Sequence, residues 1–410
     1  MSDTAAASAA PGLGSLGIGI EPFPRHGNPL LRIGAALWRR DIAFARSGWQ
    51  RIALMLCAIG GIALWLLPQT VVTDAASMLQ VESVRIFYMV GDLSLSKLSE
   101  SFATLLVAIA IGRAAFVIAI GLLDMATYKR IVGRPFDWES MINVSLVNAF
   151  FIFSGVFVLA NDGLRSLLTH YDRLLAQVPT LIDLNGAVAL VVAALIGDFC
   201  FYWSHRFFHS NRFFWNLGHI YHHRNRNLTQ LTCAIEPPLL LLQAAGGLSL
   251  LLLPLLSKLF TTDIAGAGIA LLVLMIADTW TDPSHSTFMY WLESKSRALK
   301  ALRAVFVTVG VHFVHHSRDV HGPKGTGCNF GARLTVWDRV FGTYVEPKDA
   351  IPDSGLFDPH GDACINPLRY LLLPYVRMGA ELRRNKLRYW PKILFGPVGY
   401  EPPNPVAMSH

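Results

Sequence analysis

Charged side chains are scarce in this chain. Asp, Glu, Lys and Arg make up 15% of its 410 residues and hydrophobic residues make up 53%, whereas a soluble globular protein carries about 25% charged residues. This deficit argues against an ordinary soluble domain and favours a membrane protein. The net charge of +7 does not indicate nucleic-acid binding, because the basic residues lie beside apolar runs, as expected for anchoring to anionic lipid.

The chain also lacks the cysteine pattern of a disulfide framework or of a thiolate metal site. Its five cysteines include no CxxC pair, so neither is expected. Residues 1–22 have no basic stretch followed by an apolar core, and they are therefore not predicted to be a secretory signal.

Six apolar segments, at about 52–68, 102–123, 141–161, 187–204, 238–257 and 264–281, predict the architecture. A hydrocarbon core needs about 20 residues, so some spans are expected to tilt or to form re-entrant hairpins. Arginines precede the first segment, at Arg25, Arg32, Arg39, Arg40, Arg46 and Arg51, which predicts a cytoplasmic N-terminus. The predicted fold class is all-α: a multi-pass transmembrane helical bundle with a cytoplasmic histidine-rich helical cap. Residues 293–305 place Arg297, Lys300 and Arg303 on one face and predict an interfacial helix leading into that cap.

Nine of the fourteen histidines lie between His205 and His316, and eight of them form three clusters. The clusters are HxxxH (His205, His209), HxxHH (His219, His222, His223) and a second HxxHH (His312, His315, His316). Residues three and four apart share one face of a helix, so each cluster is expected to present its imidazoles together. Eight imidazoles exceed the four or so ligands of a zinc site and suit two metals. Imidazole alone does not choose among Zn, Cu, Fe and Ni. The other histidines singled out, His26, His170, His360 and His410, are interpreted as ordinary core or surface residues.

Aspartates near the clusters are candidate partners of the ligands. Metal-bound imidazoles usually donate their other N–H to a carboxylate or a carbonyl. Asp198 precedes His205 by seven residues, two turns along the same helix face, and an ionisable residue at the end of an apolar helix is usually functional. We therefore expect Asp198 to orient a ligand histidine. Three further aspartates are left open between this role and a surface position: Asp278, Asp282 and Asp319.

These clusters and their surroundings resemble the fatty acid hydroxylase/sterol desaturase superfamily of integral-membrane di-iron enzymes, and within it the bacterial sterol-desaturase-like and alkylglycerol-monooxygenase-like branch. The resemblance runs from DFCFYW at 198–203, through the clusters, to NFG at 329–331 and VWDRVFGTY at 336–344. The chain departs from the family's spacing after His316, where it carries His321 and a glycine-rich stretch at 322–327.

The resemblance implies a ligand set, cofactors and a reaction. It implies two Fe ions, O₂ as cosubstrate, His285 as a ninth ligand, and catalytic-site roles for Asp198 and Asn329. The implied reaction is hydroxylation or desaturation of a membrane lipid of the sterol, fatty acyl, ether lipid or carotenoid class. Because no haem-binding or flavin-binding domain is apparent, the electrons are expected from a separate ferredoxin-like or b-type-cytochrome-like donor with its reductase. The expected location is the bacterial inner membrane, or the endoplasmic reticulum in a eukaryote, with a cytoplasmic site.

A non-catalytic membrane protein that stores or transports zinc remains the alternative. A transporter would hold its polar ligands near the bilayer midplane, whereas these clusters follow the ends of apolar segments, which favours the enzyme. The predicted organisation is a disordered, basic cytoplasmic segment (1–50), transmembrane and interfacial helices (51–186), the catalytic domain (187–345) and a basic interfacial tail (346–410).

Overall fold

The computed structural model describes residues 28–39, 100–136, 177–225, 227–233, 259–263, 283–318, 327–356 and 367–405, together with a few isolated positions. The regular elements in these ranges are helices, and two isolated β-bridges join loop segments. The all-α prediction is confirmed for this part of the chain. The predicted segment at 141–161, nearly all of the predicted segments at 52–68, 238–257 and 264–281, and residues 1–27, 40–48 and 50 of the basic segment at 1–50 lie outside the described residues.

The described α-helices are, in chain order, α1 (Pro29–Arg39), α2 (Glu100–Val132), α3 (Gly186–Ser210), α4 (Arg212–Phe214), α5 (Ile220–His223), α6 (Gln230–Cys233), α7 (Thr287–Lys295), α8 (Arg297–Leu302), α9 (Val309–His315), α10 (Val336–Val340), α11 (Pro367–Arg384) and α12 (Trp390–Phe395). A π-helix, Trp215–His219, joins α4 to α5, and a 3₁₀ turn, Leu387–Tyr389, precedes α12.

Helix α3 carries the first histidine cluster. The Asn185 side chain caps its start by accepting a hydrogen bond from the Ala187 N–H at 3.0 Å, which satisfies one of the free donors of the first turn. The helix continues through the predicted apolar segment to Ser210. By length and composition, α3 is the one helix among the described residues that is apolar enough to cross a membrane. The multi-pass bundle and the cytoplasmic cap therefore stay predictions.

Helix α2 is anchored to the segments around Gln230 and Ser286 by Asp124, which is fully buried. Its carboxylate accepts hydrogen bonds from the Gln230 N–H (3.0 Å), the Ser286 hydroxyl (2.6 Å) and the Phe288 N–H (2.9 Å). A buried carboxylate is stable only when its oxygens are paired. Asp124 thus joins α2 to the starts of α6 and α7.

A buried ion pair sets the position of α9, which carries the last cluster. Glu293 on α7 pairs with Arg303 at 2.5 Å, and both side chains are 4% exposed. The same carboxylate accepts from the Thr308 hydroxyl at 2.8 Å and the Gly310 N–H at 2.9 Å, so it caps the start of α9. The prediction that Arg303 shares an outer face with Arg297 and Lys300 is therefore wrong: the chain turns after α8 and Arg303 reaches inward to Glu293.

The C-terminal helices pack on the segment between the first two clusters. Arg212 in α4 forms a buried ion pair with Glu381 in α11 at 2.7 Å, and the Arg212 N–H donates to the Gly396 carbonyl at 3.0 Å. The region predicted as an interfacial tail therefore includes helices that pack against α4, between the first two histidine clusters.

Candidate metal centre

The nine predicted ligand histidines gather into two groups. The first group is His205, His209, His219, His223 and His315, and the second group is His222, His285, His312 and His316. Within each group, one ring nitrogen of every member lies within 4.8 Å of those of all the others. The predicted convergence of the three clusters and His285 is thus observed. Both HxxHH clusters are divided between the two groups. Adjacent residues such as His222 and His223 point about 100° apart on a helix, so they belong to different groups.

The nitrogens of the first group are arranged as a coordination shell would arrange them. His219 Nε2 lies 3.1 Å from His205 Nε2, 2.8 Å from His209 Nε2 and 3.2 Å from His223 Nε2. A ring nitrogen offers one proton or one lone pair, so His219 cannot satisfy three such neighbours by hydrogen bonding. Two nitrogens held about 2.1 Å from one ion, at right angles, are about 3.0 Å apart. The first group therefore fits a metal ion.

The second group repeats this arrangement around His316. Its Nε2 lies 3.0 Å from His222 Nε2, 3.0 Å from His312 Nε2 and 3.2 Å from His285 Nε2. Burial, and then the neighbouring imidazoles, hold the pKa of His285, His312 and His316 well below the ordinary value. These rings are therefore neutral at pH 7, which is the form that binds a metal.

The two groups are adjacent. The rings of His223 and His316 stack with their centroids 4.3 Å apart, and the neighbouring rings of His222 and His223 are 5.3 Å apart. Two ions held by the two groups would lie side by side, with no ligand histidine shared between the groups.

Two backbone carbonyls orient the first group. His205 Nδ1 lies 2.8 Å from the Phe330 carbonyl oxygen, and His315 Nδ1 lies 2.7 Å from the Cys328 carbonyl oxygen. A carbonyl only accepts, so both Nδ1 atoms carry the proton and both Nε2 atoms keep a lone pair for a metal. Sequence reasoning missed these partners because a backbone oxygen has no residue signature, although the NFG stretch at 329–331 marks their place.

Asn329 positions the loop that supplies these carbonyls. It is fully buried, with a left-handed φ of 53°, a conformation that asparagine tolerates better than most residues. Its Nδ2 donates to the Val311 and Val345 carbonyls at 3.0 Å each, and its Oδ1 accepts from the Val345 N–H at 2.8 Å. The side chain contacts backbone rather than an imidazole in the described part of the chain, so Asn329 is a positioning residue. Its predicted catalytic role stays a prediction.

The predicted contact between Asp198 and a ligand histidine is wrong. The Asp198 carboxylate accepts from the Arg333 N–H at 2.9 Å, the Leu334 N–H at 3.2 Å and Trp337 Nε1 at 3.0 Å. Seven residues of helix separate Asp198 from His205 by about 10 Å, too far for them to share a hydrogen bond. Asp198 instead fixes the segment that follows Phe330. Asp278, Asp282 and Asp319 lie outside the described residues.

Asp338 is a positioning residue that sequence reasoning did not single out. It is fully buried and accepts from the Phe330 N–H (2.8 Å), the Gly331 N–H (2.9 Å) and the Thr343 hydroxyl (2.7 Å). Burial raises its pKa, and these hydrogen bonds oppose the rise. Asp338 thus holds the peptide units on both sides of Phe330, and the Phe330 carbonyl faces His205. The sequence feature that could have identified Asp338 is the VWDRVFGTY stretch at 336–344, which contains it.

The glycine-rich stretch ends in Gly327, which has a left-handed φ of 76°. A Cβ there would lie 3.0 Å from the Phe330 ring and 3.3 Å from His209 Nδ1. Glycine thus lets the loop approach the first group closely. His321 and residues 322–326 lie outside the described residues.

Comparisons with known proteins find similarity over the residues that form this site. Residues 190–343, which include all nine histidines, match the family model described as fatty acid hydroxylase. Over 180 residues the chain is 26% identical to alkylglycerol monooxygenase of Danio rerio, and the alignment covers 44% of this chain and 35% of that relative. The chain thus spans about a third of the length of this curated relative. No solved structure matches the chain.

The predicted resemblance to the fatty acid hydroxylase/sterol desaturase superfamily is confirmed by these findings. Residues 190–343, which bear both histidine groups, are thus similar to the fatty acid hydroxylase family.

Proposed function

We propose that this protein is a membrane-bound di-iron oxidoreductase that uses O₂ to hydroxylate or desaturate a lipid, with electrons from a separate donor protein. The observation that carries the proposal is the division of nine histidines into two adjacent groups of five and four. The match to the fatty acid hydroxylase model supports the reaction class.

The first group would hold one iron ion and the second group the other. Neutral imidazoles would leave the charge of the ions uncompensated, which would favour further, anionic oxygen ligands. When bound, the pair of ions would supply O₂ activation and the oxidation of a C–H bond. The protein's own contribution is to present the lone pairs: the carbonyls of Cys328 and Phe330 fix the tautomers of His315 and His205.

Aromatic rings cover the first group. The ring of Phe330 lies 5.2 Å from that of His209 and 5.8 Å from that of His315. The ring of Trp215 lies 5.1 Å from that of His209 and stacks on His223 at 5.2 Å. These contacts restrict the motion of the imidazoles and keep bulk water from the ligands, as the apolar shell of a metal site does.

The substrate is proposed to be a lipid that arrives from the bilayer. His205 and His209 lie in the last turns of α3, the candidate membrane span, so the site begins where the apolar part of the helix ends. The candidate classes are sterols, fatty acyl chains, ether lipids and carotenoids. The relative is named for alkylglycerol, an ether lipid, and ether lipids are the first class to test. A ferredoxin-like or b-type-cytochrome-like protein with its reductase is the proposed donor.

Metal content, O₂ consumption and lipid composition test this proposal together. Purified protein is expected to contain iron and to consume O₂ when a reductant and lipid are supplied. Lipid extracts from cells with and without the protein, compared by mass spectrometry, are expected to differ by an added hydroxyl group or a double bond. His170→Ala is expected to change none of these results, because His170 is exposed and lies outside both groups. Zinc without O₂ consumption would overturn the proposal in favour of zinc storage or transport.

A further inference from the structure

The turn after α8 exposes apolar side chains and buries its one charged residue. Leu302, Val305 and Phe306 are 45%, 52% and 44% exposed, whereas Arg303 is 3% exposed. Ala301 and Ala304 are exposed as well. A turn that faces water normally exposes its polar residues and buries its large apolar ones, whereas the pairing of Arg303 with Glu293 leaves only apolar side chains at this surface. This turn, residues 301–306, is therefore suited to an apolar environment.

The inward position of Arg303 is held by several contacts. Its Nε pairs with Glu293, and its Nη1 donates to the Pro347 carbonyl at 3.1 Å and to Glu346 at 3.3 Å. Reversing the turn would leave the buried Glu293 carboxylate without its cation, which is costly. The exposure of the neighbouring apolar side chains is thus a fixed property of the fold.

Helix α10 extends the apolar surface. Val336 and Val340, 40% and 65% exposed, are four residues apart and share a helix face. The Thr335 N–H donates to the Val305 carbonyl at 2.9 Å, and an isolated bridge pairs Phe306 with Leu334, so α10 lies beside the turn. Together these residues form what we term the apolar patch: Leu302, Val305, Phe306, Val336 and Val340.

The apolar patch lies beside the apolar part of α3. Asp198 on α3 accepts hydrogen bonds from Arg333 and Leu334, just before α10, and from Trp337 within it. Asp198 is six residues before Ser204, where the predicted apolar segment ends, which is about 9 Å along the helix axis. Interfacial surfaces reach about 5–10 Å into the boundary between headgroups and acyl chains. The level of the apolar patch on α3 falls in this range.

We infer that the apolar patch inserts into the lipid at the membrane interface beside α3, so that the catalytic segment touches the bilayer through a second surface. Exposed Arg339 lies beside the patch, because its Nη2 donates to the Arg303 carbonyl at 3.2 Å. Its charge suits anionic headgroups, whereas a second copy of the chain would oppose it with like charge. The inference rests on the proposed membrane location of α3 and does not depend on iron or on lipid oxidation.

Site-directed spin labels test the insertion. Labels are attached at Val305→Cys and Val340→Cys, with Val191→Cys on the exposed face of α3 as the lipid reference and Lys348→Cys as the water reference. Cys57, Cys233 and Cys364 are replaced by Ala, and the buried Cys200 and Cys328 are kept. A protein without an added cysteine is the labelling control. Each full-length protein is reconstituted in vesicles of phosphatidylcholine and phosphatidylglycerol, and its circular dichroism spectrum verifies that it is folded.

The measurement compares collisions of each label with O₂, which concentrates in lipid, and with a nickel chelate, which stays in water. At Val305 and Val340 the ratio of O₂ to nickel collisions is expected to exceed one, as at Val191, and at Lys348 to fall below one. Ala304→Cys supplies a second position in the turn if Val305→Cys does not accumulate.

The other outcomes overturn the inference in distinguishable ways. A ratio below one at Val305 and Val340, with Val191 still in lipid, would put the patch in water and leave the proposed membrane location intact. Protection from both reagents would mean that protein covers the patch. A ratio below one at Val191 would overturn the membrane location of α3 together with the insertion.

Discussion

Asp338→Asn is expected to disturb the first histidine group through the Phe330 carbonyl. One carboxylate oxygen of Asp338 accepts from the Phe330 N–H and the Thr343 hydroxyl, and the other accepts from the Gly331 N–H. Asparagine has one acceptor oxygen and one donor group. In either orientation, a backbone N–H therefore faces the new amide donor, and the peptide whose carbonyl orients His205 shifts.

The size of the effect follows from two opposed terms. A hydrogen bond to a charged group contributes about 1.5–3 kcal/mol, and at least one is lost. The raised pKa of Asp338 means that burial penalises its charge, and the neutral amide relieves part of this cost. We expect a net loss of about 2 kcal/mol in the free energy of unfolding, and a loss of about 10–100-fold in metal affinity, the usual effect of changing a ligand's support.

Thermal unfolding and metal titration of the purified variant check both values. Asp349→Asn is the matched control, because Asp349 is an exposed aspartate paired with Lys300 at the surface, and it is expected to change neither the unfolding midpoint nor metal binding. An Asp338→Asn protein that binds metal as tightly as the control variant would refute the positioning role of Asp338.

Three further perturbations have defined outcomes. Glu293→Gln removes the buried ion-pair partner of Arg303 and leaves it paired with the exposed Glu346 at 3.3 Å, so it is expected to cost about 3 kcal/mol; a denaturation midpoint equal to that of the wild type would contradict this. Asp198→Asn is expected to lower metal retention and turnover about 10-fold, through the segment after Phe330 rather than through a histidine contact; unchanged iron content and turnover would make Asp198 an ordinary buried anchor. The metal-free protein is expected to lose stability as the pH falls below about 6.5, because unfolded histidines then take up protons that His285, His312 and His316, with their lowered pKa, do not. A thermal midpoint that stays constant or rises between pH 7 and 5 would contradict that account.

The spacing of the histidines predicted that the three clusters converge, but not how the histidines divide into two groups. Helical periodicity places His219, His222 and His223 on one broad face, and this was enough to predict convergence and two metals. The division depends on how the π-helix, α5 and α9 pack, since His222 and His223 diverge toward partners about 90 residues later in the chain. Such a division cannot be read from local spacing.

The supporting carboxylates could not be predicted from the sequence for the same reason. Asp124 accepts from Ser286, 162 residues away, and Asp198 from Arg333, 135 residues away. The sequence indicated that both aspartates lie on helices. It could not indicate their partners, because these are backbone N–H and hydroxyl donors that only the fold brings near. The prediction for Asp198 assigned it the wrong partner, because it relied on the shared helix face and not on the axial rise of about 10 Å over seven residues.

Metal stoichiometry of two double variants tests the central claim most directly. Wild-type protein loaded with iron is expected to bind two ions per chain. His219→Ala with His223→Ala removes two ligands of the first group, and His222→Ala with His312→Ala removes two ligands of the second group. Each double variant is expected to keep one ion, measured by mass spectrometry of the metal content, while His170→Ala keeps two. A wild-type protein that binds a single ion, or double variants that each lose all metal or lose none, would contradict the division into two sites.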